Sequence, residues 1–135
     1  MAKKIIAAIV MTIVAVVCLS STVLAQEVSV YNLYTSSCSS TLSVSGTTAN
    51  CISQATGYRN ETTKIVITQT LQKKTSTGSW SQVSCWIETD VGYKGYATNS
   101  KSSLSKGTYR LKTVFKVYAG DNYETLTKYS STKTI

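Results

Sequence analysis

Histidine and proline are both absent from the 135-residue chain. Without histidine there is no imidazole base for a serine or cysteine triad, and no imidazole ligand for a metal. Without proline, the edge strands of any β-sheet must be protected by lysine and by twist. Acidic residues are scarce: 6 Asp and Glu stand against 14 Lys and Arg, a formal charge of +8. An excess of that sign favours anionic partners. Helical periodicity is missing too, because no stretch after the first 25 residues holds apolar side chains at a 3.6-residue spacing.

The few acids offer little chemistry. Glu88 and Asp90 alternate onto one face of a strand, but a glycosidase pair must flank its substrate, so they read as a solvated strand end. "GDNYE" at 120–124 has neither the length nor the ligand count of a calcium loop and reads as a polar hairpin turn. Asn60-Glu61-Thr62 fits a glycosylation sequon that matters only in a eukaryotic secretory route. No catalytic residue, cofactor or metal is expected, and the chain is read as a non-enzyme.

The opening "MAKKIIAAIVMTIVAVVCLSSTVLA" has the form of a signal peptide. Lys3 and Lys4 form its positive end, an uncharged run follows, and Val23 and Ala25 are the small residues before a cut. Cleavage is expected between Ala25 and Gln26. The alternative is a retained anchor, since the run is nearly long enough to span a bilayer, and only then would a membrane be a partner. Ser20, Ser21 and Thr22 break the run and favour cleavage. Cys18 follows Val17, where a lipobox wants a small residue. The exported chain of about 110 residues is one domain, long enough to bury a core without staples. Export, and the lack of a long basic run, argue against nucleic acid.

Cys38, Cys51 and Cys85 lie beyond the leader. An odd count allows at most one internal bridge. Cys51–Cys85 is the expected pair, with three free thiols as the alternative.

Alternation dominates the rest, with Gly-containing turns between runs. Thr41–Ser45 and Thr48–Ala55 read as one hairpin, Lys64–Lys74 and Trp80–Thr89 as a second, and Tyr109–Tyr118 and Tyr123–Thr134 as a third. A further strand lies within Tyr96–Ser103. About seven short strands at this spacing predict an all-β antiparallel sandwich. Pairing Lys74 with Trp80 sets Leu71 opposite Val83, Gln69 opposite Cys85 and Ile67 opposite Ile87, all facing the core, with Trp86 outside. Pairing Tyr118 with Tyr123 sets Phe115 against Leu126 inside, and Lys116 and Lys112 against Thr125 and Tyr129 outside. Lys128 then falls on the core face beside Thr113, which calls for a bulge or a lysine reaching past the rim.

"LSKGTYRLKT" resembles the approach to the sixth strand of an immunoglobulin-like sandwich, where a Gly-x-Tyr places a tyrosine corner. Tyr109 would be that tyrosine, with its hydroxyl bonding back to the preceding turn. Leu111 stands where immunoglobulin domains carry their second cysteine. Over most of the chain, "TLSVSGTTANC", "KIVITQTLQKK", "GTYRLKTVFKVYAG" and "YSSTKTI" resemble a group of small secreted proteins of Gram-positive bacteria whose function is unknown. The resemblance implies export and one β domain, and brings no site residues with it. The expected organisation is a signal peptide (1–25), an N-terminal extension (26–40) and an immunoglobulin-like β-sandwich (41–135).

In such a sandwich the second and third hairpins share a sheet. Its outer face would carry Trp80, Trp86, Tyr118, Tyr123 and Tyr129 beside Lys74, Arg110, Lys112 and Lys116. Rings can stack on sugars, and cations can neutralise phosphate or carboxylate. The plainer explanation is that strands use aromatic cross-strand pairs and charged outer faces as a matter of course. The functional expectation is a secreted, non-catalytic module binding an anionic polysaccharide or cell-wall polymer. The alternatives are a protein-binding or self-associating surface protein and a small antibacterial or toxin-like effector.

Overall fold

The computed structural model describes residues 32–135. The expected leader, Cys18 and the new terminus at Gln26 lie outside the described residues. The described elements are strands: β1 (Thr35–Ser45), β2 (Thr48–Gly57), β3 (Lys64–Lys74), β4 (Trp80–Val91), β5 (Lys94–Lys101), β6 (Thr108–Ala119), β7 (Asn122–Tyr129) and β8 (Lys133–Thr134). They form two antiparallel sheets packed as a sandwich, a 3-stranded one in the order β1-β2-β5 and a 5-stranded one in the order β4-β3-β6-β7, with β8 also on β6.

Two hairpins turn through two-residue loops, with Ser45 opposite Thr48 and Ala119 opposite Asn122. Gly46 (φ 59°) and Gly120 (φ 63°) take the first loop position, where a type II′ turn favours glycine. The third hairpin has the expected register, Tyr118 to Tyr123 and Phe115 to Leu126, as far as Tyr129. The strand expected to continue to Thr134 breaks there, where Ser130 instead bonds Leu111, and pairing resumes in β8 with Tyr109 opposite Lys133. Lys128 does lie opposite Thr113, and no bulge intervenes; its side chain is exposed past the rim.

The second hairpin departs from expectation halfway along. Lys74 faces Trp80 and Gln72 faces Gln82, but a bulge then sets Leu71 opposite Ser84, Thr70 opposite Cys85 and Gln69 opposite Trp86. One extra residue on β4 inverts every side chain after it. Trp86 turns inward and packs against the core, while Ile87 turns outward and is 69% exposed. Turning the indole inward buries more apolar surface than Ile87 would offer, against the cost of one unpaired residue.

β1 begins at Thr35, so residues 35–40 of the expected N-terminal extension belong to the sheet. Part of the reason is Glu124 on β7. Its carboxylate accepts the amides of Leu33 (2.8 Å) and Tyr34 (2.8 Å) and the hydroxyl of Thr35 (2.7 Å). Burial works against ionisation there, but these hydrogen bonds outweigh it and hold the carboxyl below its ordinary range. Nearby, Gly57 leaves room for the side chain of Thr62, which a Cβ at Gly57 would strike. The Thr62 hydroxyl accepts from the Tyr58 amide (2.9 Å) and donates to the Tyr34 carbonyl (2.7 Å).

The core is two apolar clusters divided by a polar belt. One holds Leu42, Ala49, Cys51, Leu71, Leu104, Tyr109 and Leu111; the other holds Ala55, Ile65, Ile67, Ala97, Phe115 and Val117. Between them the chain Ser40–Thr113–Ser53–Gln69–Asn99 crosses from sheet to sheet at every step. The hydroxyls of Ser40 and Ser53 each lie 2.8 Å from that of Thr113. Gln69 Nε2 donates to Ser53 Oγ (2.8 Å), and its Oε1 accepts from Asn99 Nδ2 (2.8 Å). Every buried polar side-chain atom among the described residues has a partner, so the belt avoids the penalty of an orphaned group. Because such bonds need their partners in place, the belt also fixes how one sheet slides over the other. At one end of the core, buried Tyr109 donates its hydroxyl to the Ser105 carbonyl (2.6 Å).

Candidate functional site

The outer face of the larger sheet can be read row by row from the strand pairing. Trp80 stands beside Lys74, and Gln82 beside Gln72 and Arg110. Cys85, Thr70, Lys112 and Tyr129 make the next row, and Ile87, Thr68, Val114 and Thr127 the one after. Thr89, Val66, Lys116 and Thr125 follow, then Val91, Lys64, Tyr118 and Tyr123. Among the described residues the face therefore carries Lys64, Lys74, Arg110, Lys112 and Lys116 and no carboxylate.

Its cations and rings form two groups. At one end the Arg110 guanidinium carbon lies over the rings of Trp80 (4.2 Å) and Tyr129 (4.4 Å). Those residues stand on opposite flanks of β6, so the guanidinium sits between them. Its Nε donates to Gln72 Oε1 (2.8 Å). At the other end Lys116 Nζ is 3.9 Å from the Tyr123 ring centroid, and Lys64 Nζ is 4.2 Å from that of Tyr118. The Tyr118 and Tyr123 rings are themselves paired at 5.3 Å. The neighbouring Tyr118 hydroxyl is the main reason the Lys116 pKa is raised, so the charge is secure at any ordinary pH.

Of the expected face, Lys74, Trp80, Arg110, Lys112, Lys116, Tyr118, Tyr123 and Tyr129 share the outer side of this sheet. Trp86 does not, because the bulge turns it into the core. Lys64 and Gln72 belong to the face and escaped the sequence reading, although the alternation of β3 placed both on the Lys74 side. The loss of Trp86 changes the chemistry. Each remaining ring has a cation of the protein's own over it, so the rings orient charge more than they offer bare surface for a sugar.

The structure also does not bring Cys51 and Cys85 together. Cys51 is buried between the sheets, whereas the bulge places Cys85 on the exposed face, where it accepts a hydrogen bond from the Thr70 hydroxyl (3.7 Å). Cys38, Cys51 and Cys85 are all free thiols. Burial pushes the Cys51 thiol up to about 11 and raises Cys38 as well, which makes both poor nucleophiles.

Among the described residues no group of His, Cys, Asp and Glu is arranged to hold a metal. Glu88 and Asp90 follow the bulge onto the inward side of edge strand β4, opposite Ile67 and Ile65. Asp90 accepts the Tyr96 amide (2.8 Å) and so caps part of β5. A concavity of about 310 Å³ beside it is lined by Gln54, Thr56, Lys94 and Tyr96, away from the cationic face. Neither a family model nor a curated protein matches the chain.

Proposed function

We propose that the protein is a secreted, non-catalytic module that holds an anionic cell-wall polymer or polysaccharide on the outer face of β4-β3-β6-β7. One observation carries this reading: among the described residues the face gathers Lys64, Lys74, Arg110, Lys112 and Lys116 without a single carboxylate. A uniformly positive face raises the local concentration of a polyanion and speeds its capture. The immunoglobulin-like description of the domain draws support from the Tyr109–Ser105 bond and from β3, β6 and β7 sharing a sheet. Export, a Gram-positive source and kinship with that group of secreted proteins rest on the leader and the quoted motifs.

The test is retention on an anionic wall polymer against a neutral glucan, at low and high salt. Exposed ion contacts weaken as the screening length falls from about 10 Å at 0.1 M to about 3 Å at 1 M. Retention should drop with salt and disappear in Lys112→Glu/Lys116→Glu. Retention indifferent to both would refute the reading. A second reading, association with another protein or a second copy, draws on Ile87 (69% exposed) and Val91 (88% exposed) on edge strand β4. Size-exclusion at two concentrations separates it from the first.

A further inference from the structure

We infer, resting on that reading, that the ligand is a linear phosphate-bearing chain lying along β6, gripped by Arg110 at one end and Lys116 at the other. Arg110 is a prepared oxyanion fork. Of its donors, Nε is committed to Gln72, and Trp80 and Tyr129 flank the guanidinium. What remains is the outer edge with the terminal nitrogens, which matches two oxygens of one phosphate in a bidentate pair. Holding the group before the ligand arrives reduces the ordering cost of binding.

The second anchor is built differently. Lys116 is a point charge held over the rings of Tyr123 (3.9 Å) and Tyr118 (5.4 Å), with Lys64 beside it over Tyr118. Arg110 and Lys116 are six positions apart on one strand, or roughly 20 Å, and Lys112 stands between them roughly 7 Å from Arg110. The cations thus follow a line. In a phosphodiester or polyphosphate chain the charge sits in the backbone and follows a line too. In a carboxylated glycan it hangs from sugar rings, which would want ring faces that this surface has already covered with its own cations.

The experiment is calorimetric titration of the intact domain with long-chain inorganic polyphosphate, tripolyphosphate and polygalacturonate, with urea midpoints confirming that each variant folds. Long polyphosphate should bind at least tenfold more tightly per chain than tripolyphosphate, and more tightly than polygalacturonate. Arg110→Lys keeps the charge but loses the fork and should weaken long-chain binding about tenfold. Gln72→Leu, which frees Nε, should shift it in the same direction. Lys116→Ala should weaken the long chain and leave tripolyphosphate unchanged. If Arg110→Lys and Gln72→Leu both bind like the parent, the fork is wrong. If long and short chains bind equally, or the carboxylated chain binds best, the phosphate-chain inference falls while the anionic-polymer reading stands. If none of the three binds, both fall.

Discussion

Replacing Gln69 by leucine tests whether the polar belt is structural or incidental. Gln69 is fully buried on β3, at the point where the two apolar clusters meet. Its amide donates to Ser53 Oγ (2.8 Å) and the Ala97 carbonyl (3.3 Å) and accepts from Asn99 (2.8 Å). Leucine is similar in size, so the change removes the bonds without opening a large cavity. At about 1 kcal/mol net per bond, the loss is about 3 kcal/mol. A more favourable burial of the apolar side chain offsets about 1 kcal/mol of it. The remaining cost, about 2 kcal/mol, corresponds to a fall of about 10 °C in Tm for a domain of this size.

Urea unfolding followed by tryptophan fluorescence reads the change directly, with an unchanged m value showing that both end states are comparable. The double variant Gln69→Leu/Asn99→Ala should recover part of the loss, because it also removes the Asn99 amide that the single change leaves without its partner, whereas Ser53 keeps Thr113. A shift below about 0.5 kcal/mol for Gln69→Leu would mean that the belt contributes nothing specific, and the account of how the sheets are held in register would fail.

Other perturbations check other parts of the structure. Trp86→Ala should destabilise the domain by about 2 kcal/mol, as expected for a half-buried indole, while Trp80→Ala should leave the urea midpoint nearly unchanged. Equal effects would mean that the bulge at Val83 is misplaced. Gly57→Ala should cost about 1–3 kcal/mol by forcing Thr62 aside, measured by the same unfolding curve. Under native conditions an alkylating reagent should label Cys85 quickly and Cys51 only on unfolding, as read by peptide mass. Glu124 has a lowered carboxyl pKa, so its clasp on Leu33–Thr35 contributes fully above the ordinary carboxylate range and is lost as pH falls through the lowered value. The protection of the Leu33 and Tyr34 amides, measured relative to the unstructured exchange rate at the same pH, should therefore fall in acid, and Glu124→Gln should show that loss already at neutral pH.

What was legible in the sequence was local. The third hairpin follows from alternation and from Gly120 at a two-residue turn, and Tyr109 was placed by a motif of three residues. The β3–β4 register was not legible, because alternation supports two solutions. One puts Ile87 inside with no bulge; the other spends a residue at Val83 to bring in Trp86. Only the space left by Leu42, Leu71 and Leu111 decides between them, and that space is non-local. The start of β1 was hidden for the same reason. "TSSCSS" has no apolar pattern of its own, and it is held by β2 and by Glu124, about ninety residues away. The cationic rows were legible on β6, but the arrangement of Arg110 was not, since it depends on Trp80, Gln72 and Tyr129 from three other strands.

The scarcity of acid bears on the face as much as the abundance of lysine does. A sheet surface with interspersed charges of both signs is an ordinary solvated one, its cations neutralised by neighbours. Here the acids among the described residues are placed elsewhere. Glu124 points to the inner side of β7 and holds the first residues of the fold. Asp90 sits on the inner side of β4 and caps β5. Glu88 follows it there because of the bulge, Asp121 occupies a hairpin turn, and Glu61 lies in the loop before β3. With no carboxylate on the face among the described residues, Arg110, Lys112 and Lys116 have only neutral side chains and one another for company, and their attraction for an external anion is undiminished by an internal one. The neutral partners also do what an acid could not: Trp80, Tyr129, Tyr118 and Tyr123 orient the cations without cancelling their charge. Placing one carboxylate in the middle of the face, as in Thr70→Glu beside Lys112, should therefore weaken capture of a polyanion more than removing Lys74 at its margin. Comparing the two variants' retention on the wall polymer at low salt tests that order, and the reverse order would show that total charge, not the empty acidic column, governs binding.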